Sequence, residues 1–309
     1  SIDTNGQPFW SVTFAGTGTK TLGQALDTHG SLTINNGVTL DVGVNRTITC
    51  GGSWVNNGTF NANNGLVVFD GTAQSINAAG QAFYDLQLST SSTTKTLTGA
   101  IDINHNLTID AGVTFDVSAI AYQINIAGNW INNGTFTRRT GTVVFDGTTV
   151  ISGSTAPSFN NVTISGTALT LPSGLTTDVS GNWNQSAGTL TATGSTLQFS
   201  GSSQNIAPGG QSFNHVTISG AGTKMLTGAG TIAGVLTLSA GTFDASGQTL
   251  NLQGNFISNS ASVLTTSTLT FSGTTVLSGS INPTFGSVTV SGTFSPASNF
   301  NINGNLVNN

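Results

Sequence analysis

The 309-residue sequence contains no glutamate, one cysteine (Cys50), one methionine and six prolines, and only 6% of its residues are charged. An average soluble domain carries roughly 25% charged residues. A single cysteine allows no intramolecular disulfide, and six Lys plus Arg are too few to line a nucleic-acid groove. No apolar run approaches the ~18 residues that a membrane span requires. The opening SIDTNGQPFW has neither the basic nor the apolar region of a signal peptide. The eleven Asp are spread along the chain, whereas a glycan lyase or hydrolase needs clustered acids and bases in a groove. The sequence therefore predicts no enzyme, no catalytic residues, no cofactor and no metal.

What is abundant is small and polar: 86 Ser plus Thr, 32 Asn and 41 Gly. These residues favour turns and hydrogen-bonded ladders over helices. Disorder is excluded by a mean hydropathy of +0.11 and a net charge of only −5.

The chain repeats itself. A Gly-polar-aromatic step recurs at Gly52-Ser53-Trp54, Gly128-Asn129-Trp130, Gly181-Asn182-Trp183 and Gly254-Asn255-Phe256, with Gly304-Asn305-Leu306 as an aliphatic variant. Two further series run Phe9, Phe83, Phe159, Phe213, Phe285 and Phe69, Phe145, Phe199, Phe271. All three describe long units of about 75 residues and short ones of about 53. The difference of about 20 residues is tolerable only if it is one structural coil. Runs of strict alternation such as Leu32-Thr33-Ile34 and Leu236-Thr237-Leu238 read as half-buried strands, with Val162, Ile164, Val216, Ile218, Val288 and Val290 inward and Thr163, Thr217 and Thr289 outward.

Strands this short bury nothing alone, so successive coils must stack about 4.8 Å apart. The expectation is an all-β protein, a β-solenoid of roughly 12 to 15 coils, each of roughly 20 to 25 residues, continuous over 1–309 and roughly 60 to 70 Å long. Ser1-Ile2-Asp3 through Phe9 matches Ser75-Ile76-Asn77 through Phe83, and Gly304 through Asn309 matches Gly52 through Asn57. The chain thus begins and ends inside a repeat, without the caps that close most solenoids. Both a fibre subunit and an excerpt of a longer repetitive chain would have such ends.

Cys50 takes the place held by Ile126, Val179, Leu252 and Ile302 in other repeats, and is read as an inert core residue. His29, His105 and His215 lack metal-ligand spacing and read as isolated surface or turn residues. Lys20, Lys95 and Lys224 precede Asp41, Asp116 and Asp244 by 20 or 21 residues, which suggests surface ion pairs between adjacent rungs, the alternative being separate solvated charges that keep the rod soluble. Asp178 does not continue this pattern. Asp70 and Asp146 give way to Ser200 and Ser272, so no repeating acidic loop exists to hold calcium. Arg138-Arg139 reads as an exposed turn able to meet an anionic glycan. Six sequons, at Asn45, Asn57, Asn106, Asn133, Asn161 and Asn184, are no more than the roughly nine that composition alone would give. Thr-x-Thr steps recur too irregularly for an ice-binding face.

The segments Gly128-Asn129-Trp130, Asn132-Asn133-Gly134-Thr135-Phe136 and Gly141 through Gly147 (GTVVFDG) resemble the β-strand-repeat surface proteins of bacteria, a loose group of adhesin stalks and secreted fibres. The resemblance covers nearly the whole chain, is modular, and carries over no functional residue. It implies an extracellular or cell-surface location and a structural or adhesive role. The resulting expectation is a filament subunit that joins copies of itself head to tail through its terminal rungs, with surface glycans as possible further partners. The alternatives are a stalk segment of a long adhesin and, more remotely, a polysaccharide-processing β-helix enzyme.

Overall fold

Three or four alternating residues leave an apolar face that only a neighbouring strand can cover, and stacking supplies that neighbour on every rung. The computed structural model describes residues 2–309, so Ser1 lies outside the described residues. Among the described residues there are 43 β-strands and no helix. The chain makes about 15 turns of about 20 residues, a β-solenoid. It forms two compact units, Ser1–Thr155 and Ala156–Asn309.

In the first unit strands pair in parallel with the third strand after them, giving coils of three walls, although Thr59–Asn61 and Thr135–Thr137 are the last strands of their sheets. One wall stacks Val12–Phe14, Leu32–Ile34 and Trp54–Asn56, with Val12 opposite Leu32 and Leu32 opposite Trp54. The next stacks Gly18–Thr21, Val38–Asp41 and Thr59–Asn61. The third stacks Leu26–Thr28, Thr47–Cys50, Leu66–Phe69 and Asp85–Leu88. The second unit is built the same way, one of its walls running from Ser158–Phe159 through Thr176–Val179, Thr196–Phe199, His215–Ile218 and Leu236–Leu238 to Phe256–Ser258. Two longer strands there, Ala261–Phe271 and Thr284–Val290, pair with each other and each with two further strands.

The strand count explains the two repeat lengths. Eleven strand steps separate the Trp54 strand from the Trp130 strand, but only eight separate the Trp130 strand from the Trp183 strand. Three strands are one coil, and the coil without a counterpart in the short repeat is Ile101–Ile103, Leu107–Ile109 and Val113–Asp116.

Inward positions are buried as alternation requires: Val162, Ile164, Val216, Ile218 and Val288 are closed off, while Val290 near the last rung is half-buried. Each fully buried Leu, Ile, Val or Phe contributes about 1.5–3 kcal/mol, so a coil of six such residues coheres without any charged contact.

Candidate functional site

The Gly-polar-aromatic motif forms a corner, and each of its three positions has a separate task. The glycine passes so close to the rung below that an added Cβ at Gly52 would overlap the backbone of Gly30, at Gly128 that of His105 and at Gly254 that of Gly234. The polar residue extends the ladder around the corner. Ser53 Oγ accepts the Ser75 N–H of the next rung at 3.3 Å, and the carboxamide oxygens of Asn129, Asn182 and Asn255 accept the N–H groups of Val150, Asn205 and Val276 at 2.8–3.1 Å. The aromatic residue fills the core, and Trp54, Trp130 and Trp183 are each 1% exposed. A backbone N–H at a corner would otherwise be left without a partner, and the invariably short polar side chain at this place was the sequence signal for the ladder.

Lys95 and Lys224 are not surface charges, which corrects the expected ion pairs. Both are fully buried. The Lys95 ammonium donates to the Gly71 carbonyl and to the Thr93 hydroxyl, and that of Lys224 to the carbonyls of Gly220 and Ala221 at 2.8 and 2.9 Å. Lys20 donates to the Thr17 carbonyl. The register shows why: Lys20, Lys95 and Lys224 stand opposite Leu40, Phe115 and Phe243, while Asp41, Asp116 and Asp244 stand opposite Thr21, Thr96 and Met225. An offset of one residue puts the lysines and the aspartates on opposite faces of the strand.

The aspartates cap turns instead. Asp41, Asp116 and Asp244 accept the N–H two residues on, from Gly43, Ser118 and Ser246. Asp116 also takes both arms of Arg139, at 2.7 and 3.0 Å, and that guanidinium holds its carboxyl below the ordinary value. The Arg139 charge is thereby already engaged. Asn63, in the matching turn, donates to Asp41.

Each buried lysine sits over a buried glutamine. Gln74 is opposite Lys95 and Gln204 opposite Lys224. The Gln74 amide donates to the Cys50 and Gly52 carbonyls of the rung below and accepts the Gly71 N–H. Gln204 does the same with Val179, Gly181 and Gly201. Burial lowers the Lys95 pKa to about 8, partly offset by Asp70, and lowers that of Lys224.

Cys50 is a buried free thiol in the core position expected of it, and burial pushes its pKa up. His29 is exposed, but His105 is not isolated: its Nδ1 lies 2.7 Å from Asp85 Oδ1 and its ring stacks on Tyr84. The 20-residue separation, one rung, was the signal for that pair. His215 accepts the Val235 N–H as a ladder residue. Among the sequons, Asn106, Asn133 and Asn161 have their side-chain oxygens occupied by inter-rung bonds. Asp102 and Asp146 have raised pKa values, mainly from burial, with Asp102 adding to the effect on Asp146. Among the described residues no three His, Cys or Asp side chains form a group able to hold a metal ion.

Apolar side chains are left open at interior turns, where Val44 is 75% and Ile120 72% exposed, and on the first and last described rungs. Trp10 is 79% exposed at the first, and at the last Leu306 is 62% and Val307 45% exposed. Leu306 borders a hollow of about 220 Å³ that Val288, Phe294, Phe300 and Ile302 also line. Compared with family models, with curated proteins and with solved structures, the chain has no match in any of the three.

Proposed function

We propose that the chain is a non-catalytic structural subunit of an extracellular filament, in which copies join end to end through their open rungs. The observation that carries this reading is how the rungs cohere: parallel main-chain pairing, together with serine and asparagine side chains at the corners, passes the ladder from each coil to the next, a contact that another copy can continue. Each further rung stacked in this way buries apolar area worth about 25 cal/mol per Å². Main-chain pairing across copies is a recurrent mode of strand addition.

Electron microscopy of the purified chain tests the proposal. Filaments whose axial repeat is near the length of one chain support it, and dispersed short particles at high concentration oppose it in favour of an adhesin stalk. Leu306→Lys places a charge in the hollow and should abolish filaments while leaving the thermal midpoint nearly unchanged, because the side chain is already exposed.

A further inference from the structure

Asparagine is followed directly by glycine at Asn5-Gly6, Asn36-Gly37, Asn57-Gly58, Asn64-Gly65, Asn133-Gly134 and Asn303-Gly304. In such a pair the glycine nitrogen can attack the side-chain carbonyl carbon of the asparagine, because glycine has no Cβ to stand in the way. The attack needs a main-chain N–H that solvent can deprotonate. Exposure of the asparagine does not separate the six pairs, since Asn5, Asn36, Asn57, Asn64 and Asn303 are all exposed. The glycine nitrogen does separate them. The Gly6 N–H donates to the Thr4 hydroxyl, Gly58 to the carboxamide oxygen of Asn56, Gly65 to the Ala62 carbonyl, Gly134 to the carboxamide oxygen of Asn132 and Gly304 to the Gly286 carbonyl, at 2.9–3.2 Å. Among the described residues, Gly37 alone of the six has no such acceptor, and it is exposed.

Gly37 is the third residue of the turn Asn35–Val38, at φ +81°, and the turn is closed by the Val38 N–H donating to the Asn35 carbonyl at 3.1 Å. Asn36 is dispensable to that turn. The matching turn Asp110–Val113 carries Ala111 in its place, closes with the same bond at 3.1 Å and holds Gly112 at φ +78°.

We propose that Asn36-Gly37 is a site of spontaneous covalent modification, the one pair of the six that the fold leaves reactive. The Gly37 nitrogen gives its proton to hydroxide and bonds to Asn36 Cγ. The Cγ–Nδ2 bond breaks and ammonia leaves, giving a five-membered succinimide. Water then opens the ring at either carbonyl and leaves an aspartyl or an isoaspartyl residue, with nothing oxidised or reduced. Each event adds one negative charge to a chain of net charge −5. The isoaspartyl form also adds a carbon to the main chain just before Gly37, whose carbonyl accepts the Gly18 N–H of the rung below at 3.0 Å. The change is slow and one-way, so the state of this turn records the age of the molecule. The inference is independent of the filament reading.

The test is peptide mapping by mass spectrometry of the full chain aged in mildly alkaline buffer. The peptide holding Asn36 should gain about one dalton and split into two isomers. Releasing a hydrogen-bonded N–H should hold the peptides with Asn57, Asn64 and Asn133 back by roughly five- to tenfold. In urea, where every glycine N–H is free, the sites should react at similar rates. Amide hydrogen exchange on the fresh protein should find the Gly37 N–H the least protected of the six. Asn36→Ala should remove the modification at this turn and leave the circular dichroism spectrum unchanged. The proposal is overturned by Asn57 or Asn64 keeping pace with Asn36 in the folded chain, by a protected Gly37 N–H, or by the same preference for Asn36 persisting in urea, which would assign it to local sequence.

Discussion

The core around Trp54 in the first unit and the core around Trp183 in the second are built on one motif but filled differently. Phe60, Phe83 and Phe69 surround Trp54 at ring-centre distances of 4.9, 5.5 and 6.0 Å, and Phe60 also touches Phe83. Around Trp183 the ring contact is Phe213 at 5.9 Å, and Leu190 stands where Phe60 stood. The surface beside Leu190 opens into a hollow of about 240 Å³. Deeper in the same unit, Gly230-Thr231-Ile232 replaces Ile101-Asp102-Ile103, and an apolar void of about 10 Å³ lies between Phe213, Leu226 and Leu250. The lesson is that the backbone ladder and the corner glycines set the register, while side-chain filling is free to vary from rung to rung.

That contrast can be broken most directly at the tryptophans. We expect Trp54→Ala to cost about 4–5 kcal/mol and Trp183→Ala about 1–2 kcal/mol less, because fewer rings collapse around the second cavity. Urea unfolding measures both, and equal losses would mean that the aromatic nest adds nothing beyond burial. Gly52→Ala comes next, at about 3 kcal/mol, since its Cβ would meet main chain that cannot turn aside. A neutral result in the same assay would show that the rungs can separate at the corner.

The pH dependence compares the lysine columns. Lys95 has a folded pKa of about 8, below the ordinary 10.5 of the unfolded chain, so between those values the unfolded state holds more protons. Stability should therefore rise as pH climbs from about 8 to about 10.5 and level off above it, by a few degrees in thermal midpoint. Lys95→Met should flatten the rise, and a rise of the same size in that variant would assign it to other groups. The smallest effect expected is a gain: Gly230→Ala adds a Cβ with ordinary contacts of 3.4–3.7 Å to Pro208 and Leu226 and should stabilise by about 0.5–1 kcal/mol. A loss at that position would show that the void is needed.

Much of the fold was legible because the information is periodic. Three landmark series agreed on the repeat, the coil missing from the short repeat measured the rung, and Cys50 was recognisable as core from the Ile, Val and Leu that replace it elsewhere. The lysine and aspartate partners were misjudged because spacing alone does not show which face a residue takes. A separation of 20 or 21 residues is one rung in either case, yet one residue of offset reverses the side. The Asp85–His105 pair was missed for a related reason, because its rung-to-rung contact needs the register at a corner, where the alternation is interrupted.

By itself the sequence determined that this chain builds stacked coils, since alternating apolar residues, turn formers every few positions and the scarcity of charge leave stacking as the way to bury its surface. Only the tertiary structure decided the three-walled cross-section, the inward lysines over glutamines and the serine and asparagine ladder. Each of these depends on which main-chain atoms of one rung lie above those of the last, and that is set by the register of pairing across coils.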